Sequence, residues 1–335
     1  MTAPARVALA LGSVHDRPFS ELLAIAGLAE SCGYEAIFMP EAWGRDAFVT
    51  LGALAARTER IKLGTGIVNI YSRSPALLAM AAATLDEVSG DRAILGLGTS
   101  GQRVIEGWHN VPMARPLRRL RETTEAVRLI TARSRRGYDG EVVKVAPGFA
   151  LTLPPTRGAV PIWHASLTPA AIRQAGEVAD GWLPYLTSPE TLHADLALAG
   201  EGLAKAGRER VSFTAAPYVP ALVGDDAATR ELVRGHLAFY LGAMGRFYRE
   251  AVARHGFAAE AEQVRLSWEA RDRAAAAAAV SDALLDAFAA AGPVAHCRAR
   301  LDAYRAAGAD LPVVALPGDC SSEVAERTIR ALAPA

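Results

Sequence analysis

A carboxylate directly after an apolar run is the most pointed chemical feature of this chain. Glu41 follows the segment AIFMP. A carboxyl group emerging from a buried strand is partly desolvated, so it can hold or donate a proton; the same place suits a helix N-cap or an ion pair with Arg45. Trp43, two residues on, offers either a flat wall for an aromatic ring or plain packing. Other apolar runs end in comparable sets: Gly12, Ser13, His15 and Asp16 after the first, Gly66, Ile67 and Asn69 after the third, Thr99, Ser100 and Gln102 after the fourth, His164 and Ser166 at the fifth. His15 and His164 are the alternative proton donors to Glu41. Thr99, Ser100 and Gly101 could give hydroxyls and closely approachable amides to a cofactor ring or phosphate. Ser166 to Pro169 opens a helix, whose free N–H groups make an anion site, although most helix starts bind nothing.

Other chemistries lack their residues. There is no HExxH, GxSxG or GxxxxGK[ST], and the seven histidines show no metal-ligand spacing, so no metal is expected. LGLGTSG has glycines at the wrong spacing for a dinucleotide fingerprint. A glycosidase pair fails for want of a second carboxylate opposite Glu41.

These residues need elements that bring them to one rim. Short runs rich in Val, Ile and Leu at 7–11, 36–39, 61–68, 94–97, 160–165, 181–185, 213–219 and 311–316 read as eight strands. Helical patterns alternate with them at 20–31, 48–58, 75–88, 117–132, 169–179, 189–206, 227–304 and 323–333. Ser74-Pro75, Thr168-Pro169 and Ser188-Pro189 each place an N-cap residue before a proline suited to the first turn. Eight βα units predict an α/β fold, a (β/α)8 TIM barrel forming one domain over 1–335. Two insertions interrupt the repeat: 137–155, expected as a hairpin or flap after the fourth helix, and 243–292, too long for one crossover. Because barrel chemistry sits at the C-terminal ends of the strands, both are candidate lids or peripheral decoration.

The 36 basic and 36 acidic side chains cancel, which argues against nucleic acid and against a polybasic membrane patch. No run approaches a membrane span, the start lacks a signal-peptide pattern, and Cys32, Cys297 and Cys320 form no disulfide framework. A cytoplasmic enzyme with a small-molecule substrate is the expectation.

Read together, IKLGTGIVNIYSRSPALLAMAAATLDEVSGDRAILGLGTSGQRVIEGWHNVPMARPLRRLRETTEAVRLI, with PEAWGRDAF before it and PIWHASLTPAAIRQAGEVADGWLPY after it, resembles the luciferase-like monooxygenase superfamily, and particularly its actinobacterial deazaflavin-dependent class. The resemblance spans nearly the whole chain. It implies coenzyme F420 as cofactor, with FMN and a monooxygenase reaction as the alternative and a flavin-binding barrel without catalysis as a third reading. It implies a non-prolyl cis peptide at Gly66-Ile67 behind the ring, ring contacts from Asn69, Thr99 and Ser100, and a phosphate turn at Ser166 and Leu167, where relatives often carry glycine. Glu41 falls where many deazaflavin relatives have Asp or His. Trp43, Gln102, Arg103 and Trp108 fall on the substrate side, Arg103 being an added charge. A homodimer is compatible with the apolar helix face at 77–83, and a separate reductase would supply reduced cofactor.

Overall fold

The computed structural model describes residues 5–11, 17–153 and 157–334. The barrel strands are β1 (Ala8–Ala10), β2 (Ala36–Met39), β3 (Lys62–Thr65) continued by β4 (Val68–Asn69), and β5 (Ala93–Gly98). A hairpin, β6 (Tyr138–Asp139) and β7 (Lys144–Val145), follows, then β8 (Ile162–His164), β9 (Gly181–Trp182), β10 (Thr214–Ala215) continued by β11 (Tyr218–Val223), β12 (Ala290–Gly292) and β13 (Val313–Ala315). All barrel pairings are parallel, running β10-β9-β8-β5-β3-β2-β1-β13-β11. Because β10 and β11 are consecutive pieces of one segment, the sheet closes on itself, and a parallel bridge between Tyr185 and Tyr218 joins the last pair. The expected (β/α)8 barrel is present.

Its helices are α1 (Phe19–Ser31), α2 (Ala47–Ala55), α3 (Pro75–Ser89), α4 (Pro116–Thr131), α5 (Pro169–Val178) and α6 (Pro189–Lys205). The C-terminal third adds α7 (Ala227–Ala243), α8 (Arg246–Arg254), α9 (Ala258–Glu269), α10 (Arg273–Ala278), α11 (Asp282–Phe288), α12 (Val294–Ala306) and α13 (Ser322–Ala331). Ser74 and Thr168 cap α3 and α5 by accepting from the N–H groups of Leu77 and Ala171. Ser188 precedes α6 without a side-chain cap bond to the helix.

The expected helical stretch 227–304 is corrected: it is six helices and a strand. Glycines at positive φ, Gly245 at 105° and Gly256 at 93°, separate α7 from α8 and α8 from α9, while Arg271 at 62° ends α9. The Ala-Ala-Gly of β12 reads as helix by propensity, yet it pairs in register with Ala221–Val223, tertiary pairing overriding local preference.

Two glycines are set by close neighbours, one a strand backbone and one a side chain. A Cβ on Gly96 would lie 2.0 Å from the carbonyl oxygen of Thr65, and one on Gly66 would lie 2.0 Å from the Tyr218 hydroxyl. Of the glycines of LGLG, Gly96 therefore serves β3–β5 packing, while Gly98 leaves room for the Ile67 side chain. At the opposite end of the barrel, one carboxylate oxygen of Glu30 accepts from three successive N–H groups, those of Glu59, Arg60 and Ile61, at 2.7–2.9 Å. That clamp sets where β3 begins.

The two insertions part company. The first is the expected hairpin, but it is tied to the barrel side: the buried Glu122 of α4 accepts from the N–H groups of Glu141, Val142 and Val143, and among the described residues none of the hairpin lines the central cavity. Of the two readings of 137–155, lid or decoration, the described part, 137–153, takes the second. The second insertion does roof the barrel, through α8, α9 and the start of α10.

Candidate active site

The C-terminal ends of the strands surround a cavity of about 810 Å³, within the range of small-molecule sites. One wall is built by the turns after β2, β3 and β5: Glu41 and Trp43, Gly66 and Ile67, Thr99 and Ser100. The Gly66-Ile67 peptide is cis, as the resemblance implied. The Ile67 carbonyl accepts from the Glu41 N–H at 3.0 Å, and Tyr218 donates its hydroxyl toward the Gly66 carbonyl at 3.4 Å. Ser100 is held at φ 58°, a left-handed conformation that is costly outside glycine and common at ligand sites.

A second wall runs from Ala165 through Thr168 to Ala171, the amino end of α5. Ser166 is 2% exposed, and its buried hydroxyl has no hydrogen-bond partner among the described residues. Arg254, at the end of α8, donates to the Leu167 carbonyl at 2.5 Å. A helix N-terminus and an unsatisfied hydroxyl thus meet at one end of the cavity, a combination suited to a phosphate or carboxylate, while Arg254, outside the cavity lining, steadies the turn through the Leu167 carbonyl.

The roof is aromatic. Helix α7 presents Leu232, Gly235, His236, Phe239 and Tyr240 to the cavity at helical spacing, and α8 and α9 add Tyr248 and Trp268. Tyr185, following β9, makes a 2.6 Å hydrogen bond with Nε2 of His236 and packs its ring 4.4 Å from that of Tyr240. Burial lowers His236 to about 4, so its imidazole is neutral near pH 7. Burial raises the hydroxyl of Tyr240 to about 12 and also pushes that of Tyr185 well above the usual phenol range, so both stay protonated. Trp43 reaches across to Phe239 at 6.4 Å.

Glu41 lines the cavity, but its carboxylate is already engaged. Arg73 grips both oxygens, Oε2 at 2.8 Å, and the Ala47 N–H donates to that same Oε2 at 3.0 Å. The partner is Arg73, not the expected Arg45, whose guanidinium donates to the Arg17 carbonyl. Arg73 also binds Asp46, at 2.5 Å. The geometry is that of a structural ion pair capping α2.

Several expected site residues lie elsewhere. His164 is a correction: it is fully buried and outside the cavity wall. Successive strand residues face opposite sides, so inward-facing Trp163, which packs on Phe38, leaves His164 pointing outward at α4. The Thr124 hydroxyl donates to the Leu120 carbonyl at 2.8 Å, so it accepts from His164 Nε2–H at 2.8 Å. Asn69 is buried off the cavity, its side-chain oxygen accepting from the N–H groups of Tyr71 and Ser72 to shape the turn before α3. Gln102, Arg103 and Trp108 lie on an exposed π-helical turn at Arg103–Trp108 and do not line the cavity. There Gln102 binds Glu106 at 2.8 Å. His15 lies outside the described residues. Sequence reasoning missed Arg73, Tyr185, His236 and the aromatic roof. The 232/235/236/239/240 spacing in α7 was the available signal, but it reads equally as core packing.

Among the described residues no group of three or more His, Cys, Asp or Glu could hold a metal ion, and no helix is long and apolar enough to cross a membrane.

A parallel barrel with a half-enclosed cavity at the C-terminal rim, an anion cradle at one end and neutral proton-carrying groups at another is the framework of a barrel enzyme. Comparison with known proteins narrows the class. A family model described as luciferase-like monooxygenase matches residues 2–311. A Mycobacterium tuberculosis protein provisionally named as a coenzyme F420-dependent oxidoreductase is 32% identical, over 94% of this chain and 96% of its own length. A 5,10-methylenetetrahydromethanopterin reductase from Archaeoglobus fulgidus is 31% identical over 91% and 92% respectively. In structure, the coenzyme F420-dependent tetrahydromethanopterin reductase of Methanopyrus kandleri superposes with a TM-score of 0.86, covering 98% of each chain at 24% identity, which is a likeness of fold. The chain belongs to the luciferase-like monooxygenase family and is an oxidoreductase.

Proposed function

We propose that this protein is an F420-dependent oxidoreductase that passes a hydride between the deazaflavin and a small organic substrate at a C=C, C=N or C=O bond. The observation that carries the reading is the Ser166 hydroxyl. It is buried and unpartnered at the amino end of α5, one residue before Leu167, whose carbonyl accepts from Arg254. Buried hydroxyls are normally paired, and one left over at a helix N-terminus on the cavity wall fits a phosphodiester oxygen. The M. tuberculosis relative, named for the same coenzyme over nearly its whole length, supports the choice.

When bound, F420 supplies the hydride chemistry itself. The chain's own residues do the rest. Ser166 and the α5 amides hold the phosphate, with Arg254 steadying their turn through the Leu167 carbonyl, Gly66, Ile67, Thr99 and Ser100 form the wall for the ring, and the α7–α9 roof excludes water and confines the substrate. Leu167 sits in the cradle as an apolar shoulder where only its backbone serves.

FMN remains the alternative cofactor, because the family is described by its monooxygenases; a partner reductase would then supply reduced FMN. Titration of the purified protein with F420 and with FMN, followed by fluorescence, separates the two. The expectation is at least tenfold tighter F420. Tighter FMN would replace the reading with the monooxygenase, and binding of neither would remove both. The homodimer also stands as a proposal: Leu77 and Met80 are 47% and 51% exposed on one face of α3.

A further inference from the structure

The reaction just proposed leaves open which groups meet the substrate, and Glu41 is a poor choice with both oxygens committed to Arg73 and to the Ala47 N–H. The rim offers a different pair. Tyr185 and His236 both line the cavity and share a 2.6 Å hydrogen bond. The rings around them are Tyr240 at 4.4 Å and Tyr248 at 5.9 Å from Tyr185, with Tyr218 on the far side at 6.1 Å. None of these carries a charge. The charged groups that line the cavity, apart from the neutralised Glu41, are Arg273 and Asp319, both exposed. Arg273 stacks on Trp268 at 3.6 Å.

A neutral imidazole is donor at one nitrogen and acceptor at the other, and which tautomer it takes follows its partner. If Nε2 carries the proton it donates to the Tyr185 oxygen, and the phenol proton turns from the hydroxyl of Tyr240, its partner in the cavity wall, to a ligand acceptor. If Nε2 is bare, Tyr185 donates to it and the phenol oxygen is left to accept. The hydrogen bond can therefore reverse to suit either a carbonyl or the alcohol it becomes. Flat aromatic neighbours favour a planar ligand body, since ring pairs gain from edge and offset contacts.

We propose that Tyr185 and His236 hold the polar atom of the substrate, and that the substrate is an uncharged, planar, unsaturated or aromatic compound whose carbonyl and hydroxyl forms are both accepted by reversal of the Tyr185–His236 hydrogen bond. This rests on the oxidoreductase reading for the interconversion of the two forms, but not for the binding.

The test uses acetophenone, 1-phenylethanol and ethylbenzene as probes on the full chain, with and without F420, following quenching of Trp43 and Trp268 or heat of binding. The wild type is expected to bind both oxygen-bearing probes about five- to tenfold more tightly than ethylbenzene, the worth of one net hydrogen bond. Tyr185→Phe and the double variant Tyr185→Phe/His236→Phe should bring all three within about twofold while leaving ethylbenzene and F420 affinity unchanged. A preference that survives in both variants, a wild type that does not discriminate, or one that binds none of the probes overturns the proposal. So does a loss of F420 affinity in Tyr185→Phe, which would put the pair on the cofactor wall. If F420 does not bind but the probe preference behaves as expected, the cofactor reading fails and this assignment stands.

Discussion

His164 ties a site question to a stability measurement. Its imidazole is fully buried, its Nε2–H is donated to Thr124, and its Nδ1 has no partner among the described residues. Burial lowers it to about 3, with Arg128 and Arg121 adding repulsion, whereas an unfolded histidine titrates near 6.5. Folding thus favours the neutral ring. The stability it protects is complete above about pH 6.5 and is lost as the pH falls from there toward 3, because the unfolded chain takes up the proton first. At pH 5, one and a half units below the unfolded value, the loss is about 2 kcal/mol at roughly 1.4 kcal/mol per unit. His164→Leu removes the titration and the hydrogen bond to Thr124, whose hydroxyl keeps its bond to Leu120. The variant should be about 1 kcal/mol less stable at pH 7.5, from one lost hydrogen bond, and about 1 kcal/mol more stable than wild type at pH 5. Urea unfolding of both proteins at pH 7.5, 6 and 5 reads the crossing, and contributions from His236 and the carboxylates cancel in the difference. Parallel curves would refute the buried neutral ring. Because His164 is off the cavity, F420 affinity should not change; a selective loss would restore it to the site.

Glu41→Gln breaks the pair with Arg73, which is 13% exposed and keeps Asp46, so a loss of about 2–3 kcal/mol in urea unfolding is expected, partly recovered in the double variant with Arg73→Met. Unchanged stability with a hundredfold loss of turnover would instead make Glu41 the proton donor. Ser166→Ala should leave stability within about 0.5 kcal/mol while weakening F420 about five- to tenfold, and Arg254→Met should flatten the salt dependence of that affinity; affinity indifferent to both changes would move the phosphate away from α5.

The barrel and its rim were legible from local pattern. Most strands are apolar runs, Ser74-Pro75 and Thr168-Pro169 mark helix starts through backbone chemistry alone, and Gly66-Ile67, Thr99, Ser100, Ser166 and Leu167 sit on the cavity because a closed parallel barrel gathers the turns after its strands at one rim. What local pattern could not carry was direction and partnership. His164 has the same neighbours in sequence whether it faces the cavity or α4, and only the alternation seated by Trp163 against Phe38 decides it. Glu41 finds Arg73, 32 residues away, because the turns after β2 and β4 meet at the rim. β12 exists only because β11 offers an edge to pair with. The Tyr185–His236 pair spans 51 residues and two elements, and no spacing rule connects the end of a strand to the third turn of a helix in a later unit. Side-chain chemistry is a property of residues, but which of them share a cavity is decided by chain closure, a non-local condition that no window of sequence contains.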